Sequence, residues 1–349
     1  MFDHDGYRGH EGVTWISDAA TGLKAVIAVH SSALGPAMGG CRLWHYPSSS
    51  AALTDALRLS HGMSLKNAMA GLPLGGGKAV ILGPVAPEAR TALFEAFGVA
   101  VDGLGGRYVT AEDVGVSVAD MAAAARRTRH VSGVTAAGGV GGDPSPYTAR
   151  GVLRGIEAAA ARVLGRGDLD GVRVAVQGVG HVGGALCRLL AGQGAQLVVA
   201  DTDRARLDRI CDETGAVPVA LDEVLEADVD VVAPCALGGA ITAEVAAGIR
   251  ARVVAGAANN QLAEPAAGTV LRKRGIAYVP DYVINAGGII AVGAEYLGGG
   301  NEASVMADVD AIGPRISDLL ARADAEDTAP EILADRRAEE IIVAARAAR

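Results

Sequence analysis

Gly171-Val172-Arg173-Val174-Ala175-Val176-Gln177 runs directly into Gly178-Val179-Gly180-His181-Val182-Gly183, and the reading of this stretch decides the fold. A G-x-G-x-x-G pattern alone says little in a chain with 48 glycines, so its surroundings carry the argument. The preceding run alternates apolar residues as a strand does. Val182, Leu186, Leu189 and Leu190 then recur at i, i+4, i+7 and i+8, the stripe of a helix packed on a sheet. A second strand-like run, residues 196–200, ends on Asp201.

Each part has a physical task. Gly178 permits the tight turn, Gly180 lets the backbone approach a pyrophosphate, and Gly183 lets the helix close on the strand. The helix N-terminus offers unpaired N–H groups and a positive dipole end to phosphate. Asp201 is placed to accept hydrogen bonds from the adenosine ribose, and its charge repels a 2′-phosphate. NAD is expected over NADP, with Arg204 and Arg206 nearby working against that preference. A glycine-rich turn without ligand is the alternative, and the full strand–turn–helix–strand–Asp context disfavours it. His181 reads as a solvent-facing turn residue.

Outward from the turn, the chain alternates strand-like and helix-like segments. Residues 23–29, 78–82 and 107–110 read as strands, and residues 51–70 and 86–101 as helices. Around residues 136–146 the composition shifts to glycine and proline dense enough to break both periods, so a hinge or long loop is expected there. This predicts an α/β substrate domain over 1–135 and a Rossmann dinucleotide-binding domain over 136–325. A charged closing helix, about 326–349, is expected to pack back onto the first domain.

The 349 residues, half of them apolar, suffice for two cores. A formal charge of −9 argues against nucleic acid, which selects a basic face, and gives no support to an anionic membrane. Cys41, Cys187, Cys211 and Cys235 are scattered without metal-ligand spacing and read as reduced thiols. The polar N-terminus resembles no signal peptide, and no apolar run is long enough to span a bilayer, so a cytoplasmic location is expected.

Gly71-Leu72-Pro73-Leu74-Gly75-Gly76-Gly77-Lys78-Ala79 invites comparison with a phosphate loop and fails it. Leu72 stands where the first glycine belongs, and Ala79 where Ser or Thr belongs. What remains is a lysine brought by three glycines to the edge of a buried strand, partly desolvated and suited to proton transfer. Lys66 lies on or just beyond the preceding helix, and Asp113 follows a strand end. Each alone reads as surface charge. Together they form two cations and one carboxylate, a set suited to binding a carboxylate and to acid–base work.

With these residues assembled, the chain resembles the glutamate/leucine/phenylalanine/valine dehydrogenase family from about Gly12 to Ala338. Further segments carry the likeness: 34–40, 233–239, 256–261 and 280–288, in the family's order. The resemblance implies that Lys66 holds the substrate carboxylate. It makes Lys78 the catalytic lysine, acting on the water that attacks the imine, and Asp113 the carboxylate that shuttles protons to the substrate nitrogen. It places Gly39 and Gly40 beside the substrate. Cys235, Ala236, Asn259, Asn260 and Asn285 join residues 178–183 and Asp201 in the cofactor site. No metal is implied. The family also places the active site in a cleft between the domains. A small-molecule substrate and a homo-oligomer are expected.

The family's side-chain pocket maps to Met38, Ala111, Ile289 and Val292, all apolar, which disfavours glutamate. Ile289 takes space that an aromatic ring would need, so leucine, valine or isoleucine is expected. The alternatives are the same chemistry on phenylalanine or tryptophan, or a catalytically silent NAD-binding homologue. Cys41, His181, Tyr147 and Arg150 depart from common family residues.

Overall fold

The computed structural model describes residues 2–134 and 143–348. Most of the expected hinge and the expected boundary between 135 and 136 lie outside the described residues. The chain forms two compact units. The first comprises Met1–Asp143, Ile289–Val305 and Arg337–Arg349; the second comprises Pro144–Gly288 and Met306–Arg336.

The first unit opens with strands β1 (Gly12–Asp18), β2 (Leu23–Ser31) and β3 (Ala37–Trp44). Helix α1 (Ser49–Met69), β4 (Gly75–Leu82), α2 (Arg90–Asp102), β5 (Tyr108–Glu112) and α3 (Val118–Ala125) follow. The sheet order is β1-β2-β4-β3-β5. β2 runs antiparallel to β1 and β4, whereas β3 lies parallel to both β4 and β5.

Two apolar layers cover the sheet. One face meets α2 and α3 through Phe94, Phe97, Val101 and Met121 against Ile27, Cys41 and Ile81. The other meets α1 through Ala52, Ala56 and Leu57 against Val26, Ala28 and Val80. Leu57 is fully buried, a contribution of roughly 1.5–3 kcal/mol. The Ser48 hydroxyl caps α1 by accepting from the Ala51 N–H at 3.1 Å, typically a gain of about 1 kcal/mol.

Two strands escaped the hydrophobic pattern. β3 carries Gly39-Gly40 at its centre, which reads as a break, and β1 is an only partly buried edge strand. The glycines before Lys78 are themselves strand, since β4 begins at Gly75. Gly76 faces α1 so closely that a Cβ there would lie 2.1 Å from the Ser64 nitrogen. These glycines bring helix and sheet together and form no loop.

The second unit is a parallel sheet with helices. It contains α4 (Ser145–Leu164), β6 (Arg173–Gln177), α5 (His181–Gly192), β7 (Gln196–Ala200), α6 (Arg204–Thr214), β8 (Val217–Pro218) and β9 (Val231–Pro234). It continues through α7 (Ala243–Gly248), β10 (Val253–Val254), α8 (Pro265–Lys273), β11 (Ala277–Tyr278) and α9 (Asp281–Ile284). The boundary with the first unit falls inside α10 (Gly287–Leu297). Helices α11 (Glu302–Asp310), α12 (Ile312–Ala325) and α13 (Pro330–Ala347) close the chain. No described helix is long and apolar enough to cross a membrane.

The strand order β11-β10-β9-β6-β7-β8 is that of a dinucleotide-binding sheet, reversing direction between β6 and β9. Ligands bind outside the carboxyl ends of strands at such a reversal. The turn at 178–183 stands there.

Three histidines of the first unit stack edge to face. Ring centroids are 4.9 Å apart for His10 and His30 and 4.7 Å for His30 and His61. His30 bonds the Ser64 hydroxyl through Nδ1 at 2.7 Å and the Arg8 carbonyl through Nε2 at 3.1 Å. Burial, with the neighbouring His61 and His10, lowers its pKa from 6.5 to about 3. Above pH 6.5 the folded and unfolded states are both neutral at this ring; below it only the unfolded chain takes the proton readily. Stability is therefore expected to fall as pH drops from 6.5 towards 3. The melting temperature should decline between pH 7.5 and pH 5 less steeply in His30→Gln than in the parent, and equal slopes would assign the loss to other groups.

Candidate active site

The first unit gathers a charged cluster from three strands and one helix. Lys78 on β4 is 5% exposed. A buried ammonium needs a counter-charge, and Asp113, just beyond β5, supplies it, with Lys78 Nζ to Asp113 Oδ2 at 2.8 Å. Gly40 makes the room: a Cβ there would sit 2.7 Å from the Asp113 Cβ. Arg42 Nε reaches the same oxygen at 3.2 Å. Burial pushes the Asp113 pKa up, but Lys78 and Arg42 outweigh it and leave the carboxyl below its ordinary value. It is ionised at neutral pH.

The other expected residues of this unit lie in the surrounding frame. Lys66 is half-buried in the last turn of α1. One turn earlier, Met63 packs over Gly39, its Cγ 3.0 Å from where a Cβ would stand. Asn67 donates through Nδ2 to the Gly75 carbonyl at 2.5 Å and the Met38 carbonyl at 3.4 Å. The Gly39 carbonyl accepts from the Tyr108 hydroxyl at 2.7 Å.

Met38, Ala111, Ile289 and Val292 come together in one apolar cluster, although they lie far apart in sequence. Leu72, Leu74, Val109 and Tyr296 complete it. The segment after α3 holds α10 in place. Ser132 donates to the Val292 carbonyl at 2.8 Å, Gly133 N to Glu295 at 2.8 Å, and the Tyr296 hydroxyl bonds His130 at 3.0 Å. Nothing in the sequence announced His130, Ser132, Gly133, Glu295 or Tyr296 as partners, because none belongs to a motif. Arg42 also went unread, although it follows Gly40 at the two-residue spacing of one strand face.

In the second unit, Gly178 has φ +88°, a left-handed turn that other residues adopt at a cost. A Cβ on Gly183 would strike the Gly178 carbonyl oxygen at 2.0 Å, whereas one on Gly180 would meet only Arg206, at 3.8 Å. The surface over Gly180 is open to a ligand. No side chain caps α5, so its first N–H groups are available to an anion. Val182 is half-buried and His181 exposed in this first helical turn.

Asp201 Oδ2 accepts from the Val179 N–H, and its Oδ1 from the Asp203 N–H, both at 2.8 Å. Cys235 N donates to the Gln177 carbonyl at 2.7 Å, and Ala236 touches Gly178, so both line the turn. Asn285 is buried and donates to the Ala257 carbonyl at 3.0 Å and to Asn259 Oδ1 at 2.8 Å. Asn260 beside them is left-handed, with φ +51°. The turn, the uncapped helix and the carboxylate at the end of β7 fit a dinucleotide. Among the described residues, no group of three or more His, Cys, Asp or Glu could hold a metal ion.

A parallel sheet of this order with an open glycine turn defines a dinucleotide-binding enzyme, and comparison with known proteins gives its class. Residues 12–130 match the model of the Glu/Leu/Phe/Val dehydrogenase dimerisation domain, and residues 199–312 match the Glutamate/Leucine/Phenylalanine/Valine dehydrogenase model. The chain is 46% identical to the leucine dehydrogenase of Geobacillus stearothermophilus, over 97% of this chain and 92% of that protein. It is 44% identical to the valine dehydrogenase of Streptomyces albus, over 99% and 96% of the two. The crystal structure of L-tryptophan dehydrogenase from Nostoc punctiforme superposes with a TM-score of 0.85 at 39% identity, covering 97% of each chain. The protein is thus an amino acid dehydrogenase, acting on a CH–NH2 donor with a nicotinamide dinucleotide. It belongs to the glutamate/leucine/phenylalanine/valine dehydrogenase family.

Replacing Gly183 by alanine forces α5 away from the Gly178 turn. Fluorescence titration of the Gly183→Ala variant is expected to show NADH binding weakened about tenfold or more, the scale of a lost 1.4 kcal/mol. Unchanged affinity would mean that the turn is not the dinucleotide site.

Proposed function

We propose that the enzyme reversibly deaminates a branched-chain L-amino acid, leucine, valine or isoleucine, using NAD, to the 2-oxo acid and ammonia. The observation that carries this reading is the apolar cluster of Met38, Leu74, Val109, Ala111 and Val292 in the unit that holds the Lys78–Asp113 pair. The cluster contains no charged side chain. A glutamate side chain placed there would leave its carboxylate without a cation, at a cost of several kcal/mol. Met38 is fully buried, and Ile289 packs against the cluster, an apolar and β-branched surface that suits an aliphatic side chain better than an indole.

When bound, the dinucleotide accepts hydride from the substrate Cα. The chain's own residues do the rest. Lys66 holds the α-carboxylate. Asp113, ionised by its two cations, takes a proton from the substrate ammonium and returns one to the departing nitrogen. Lys78 activates the water that adds to the iminium and stabilises the oxygen as charge develops on it. One amino acid, one water and one NAD yield one 2-oxo acid, one ammonium ion, one NADH and one proton.

Asp201 supports NAD as the cofactor, since its carboxylate is fixed by two backbone N–H groups at the end of β7. Arg206 lies 4.0 Å from Asp201 and 3.4 Å from Asp203, so its charge is partly offset. The matched family model describes the first unit as a dimerisation domain, and edge strand β1 leaves Trp15 exposed, which supports a homo-oligomer. Four free cysteines suit the cytoplasm.

Reduction of NAD should be measured with leucine, valine, isoleucine, phenylalanine, tryptophan and glutamate, with NADP in parallel. Turnover of the branched-chain set with NAD is expected; preference for an aromatic substrate would overturn the reading of Ile289. Lys78→Ala is expected to lower kcat at least a thousandfold while NADH still binds, and retained turnover would remove Lys78 from the chemistry. Lys66→Ala should act mainly on KM for the amino acid. An unchanged KM would refute its role with the carboxylate.

A further inference from the structure

Through Arg42, the Lys78–Asp113 pair continues into a second ion pair, with Asp55, to which the proposed chemistry assigns no role. Arg42 is the last basic group of β3 and lies on the strand face turned to α1. Its Nε meets Asp113 Oδ2 at 3.2 Å, and its NH1 meets Asp55 Oδ2, on α1, at 3.0 Å. Asp55 is held in turn by the Tyr46 hydroxyl at 2.6 Å and by Arg58 at 2.9 Å. Arg42 and Asp55 are both largely buried, with side chains 22% and 16% exposed.

A guanidinium presents donors in a fixed fork, so a bridge between two anchored carboxylates fixes the position of each. We infer that Arg42 is a positioning residue for the amino acid dehydrogenase reaction: anchored on Asp55, it orients Asp113 and holds it as a carboxylate. This rests on the role proposed above for Asp113.

The charges around Asp113 make the test directional. Lys78 on β4 and Arg42 on β3 are its cationic partners. Asp55, Arg58 and Lys66 stand on α1, Glu112 precedes it on β5, and Asp120 lies on α3. The Cys41 thiol and the Tyr108 phenol are its buried ionisable neighbours, and burial raises the pKa of both, so they are neutral. Arg42 and Lys78 are the two cations that oppose the effect of burial on Asp113. Removing the positive charge of Arg42 takes away one of the two cations that oppose burial, so the Asp113 pKa rises.

The experiment is the pH profile of kcat/KM for the best amino acid substrate in the parent, Arg42→Met and Arg42→Lys, with NADH titration as a check on folding. Arg42→Met is expected to lose at least tenfold in kcat, to move the acid limb up by about one unit and to keep KM for NAD. Arg42→Lys restores the charge without the fork, so its acid limb should return to the parent position while kcat recovers only in part. A parent-like limb and kcat in Arg42→Met, or a limb in Arg42→Lys displaced as in Arg42→Met, would overturn the inference. Should Arg42→Met fail to fold, Arg42→Lys decides alone, and parent-like kcat in it refutes positioning by the fork. Failure of the underlying reading looks different. In that case the parent turns over no amino acid, or Lys78→Ala and Asp113→Asn remain active.

Discussion

A buried ammonium governs the first unit. Lys78 sits in the middle of a five-stranded sheet, where an unpaired charge would be prohibitively costly. The fold answers with Asp113 at 2.8 Å. That approach requires Gly40 to have no side chain, because a Cβ would fall within 2.7 Å of the Asp113 Cβ. The glycines of β3 and β4 are thus structural conditions for placing a charge pair inside a sheet. The same pair suits the unit to acid–base chemistry, since a buried ammonium stands beside a carboxylate that its cations keep ionised.

The second unit is built on a different constraint. Its turn leaves α5 without a side-chain cap and the space over Gly180 open, an arrangement that suits an anion. Gly183 brings that helix against the turn, and Asp201 fastens the turn through the Val179 N–H. Stability and binding draw on the same atoms here. The carboxylate that holds the loop is also the one proposed to favour NAD.

Much of this was legible from residues alone, and the physical reason is locality. The turn at 178–183, the stripe of α5 and the strand ending on Asp201 are consecutive, so their periodicities appear directly in the sequence. Lys78 and Asp113 stand out because each interrupts an apolar or glycine-rich run. Strand β3 was missed because a central glycine pair imitates a loop, and β1 because an edge strand is not buried enough to show a clean alternation. The glycines of β4 read as a loop for the same reason that β3 did: composition records flexibility, not the neighbour that removes it.

Arg42 marks the limit of such reading. A lone arginine two residues after a glycine pair reads as surface charge, and nothing near it in sequence announces Asp55 or Asp113 as partners. The apolar cluster is similar. Four of its members were traced through family resemblance, but Leu72, Leu74, Val109 and Tyr296 join it only because β5, the segment after α1 and α10 pack together. By itself the sequence determined the glycine turn between strand and helix, the class of reaction and the identity of the charged pair, all of which are written in consecutive residues or ordered motifs. Only the tertiary structure decided which oxygen of Asp113 the two cations share, what anchors Arg42 and which side chains complete the apolar cluster. Those contacts join residues distant along the chain, and their energy depends on distance and burial that no local pattern encodes.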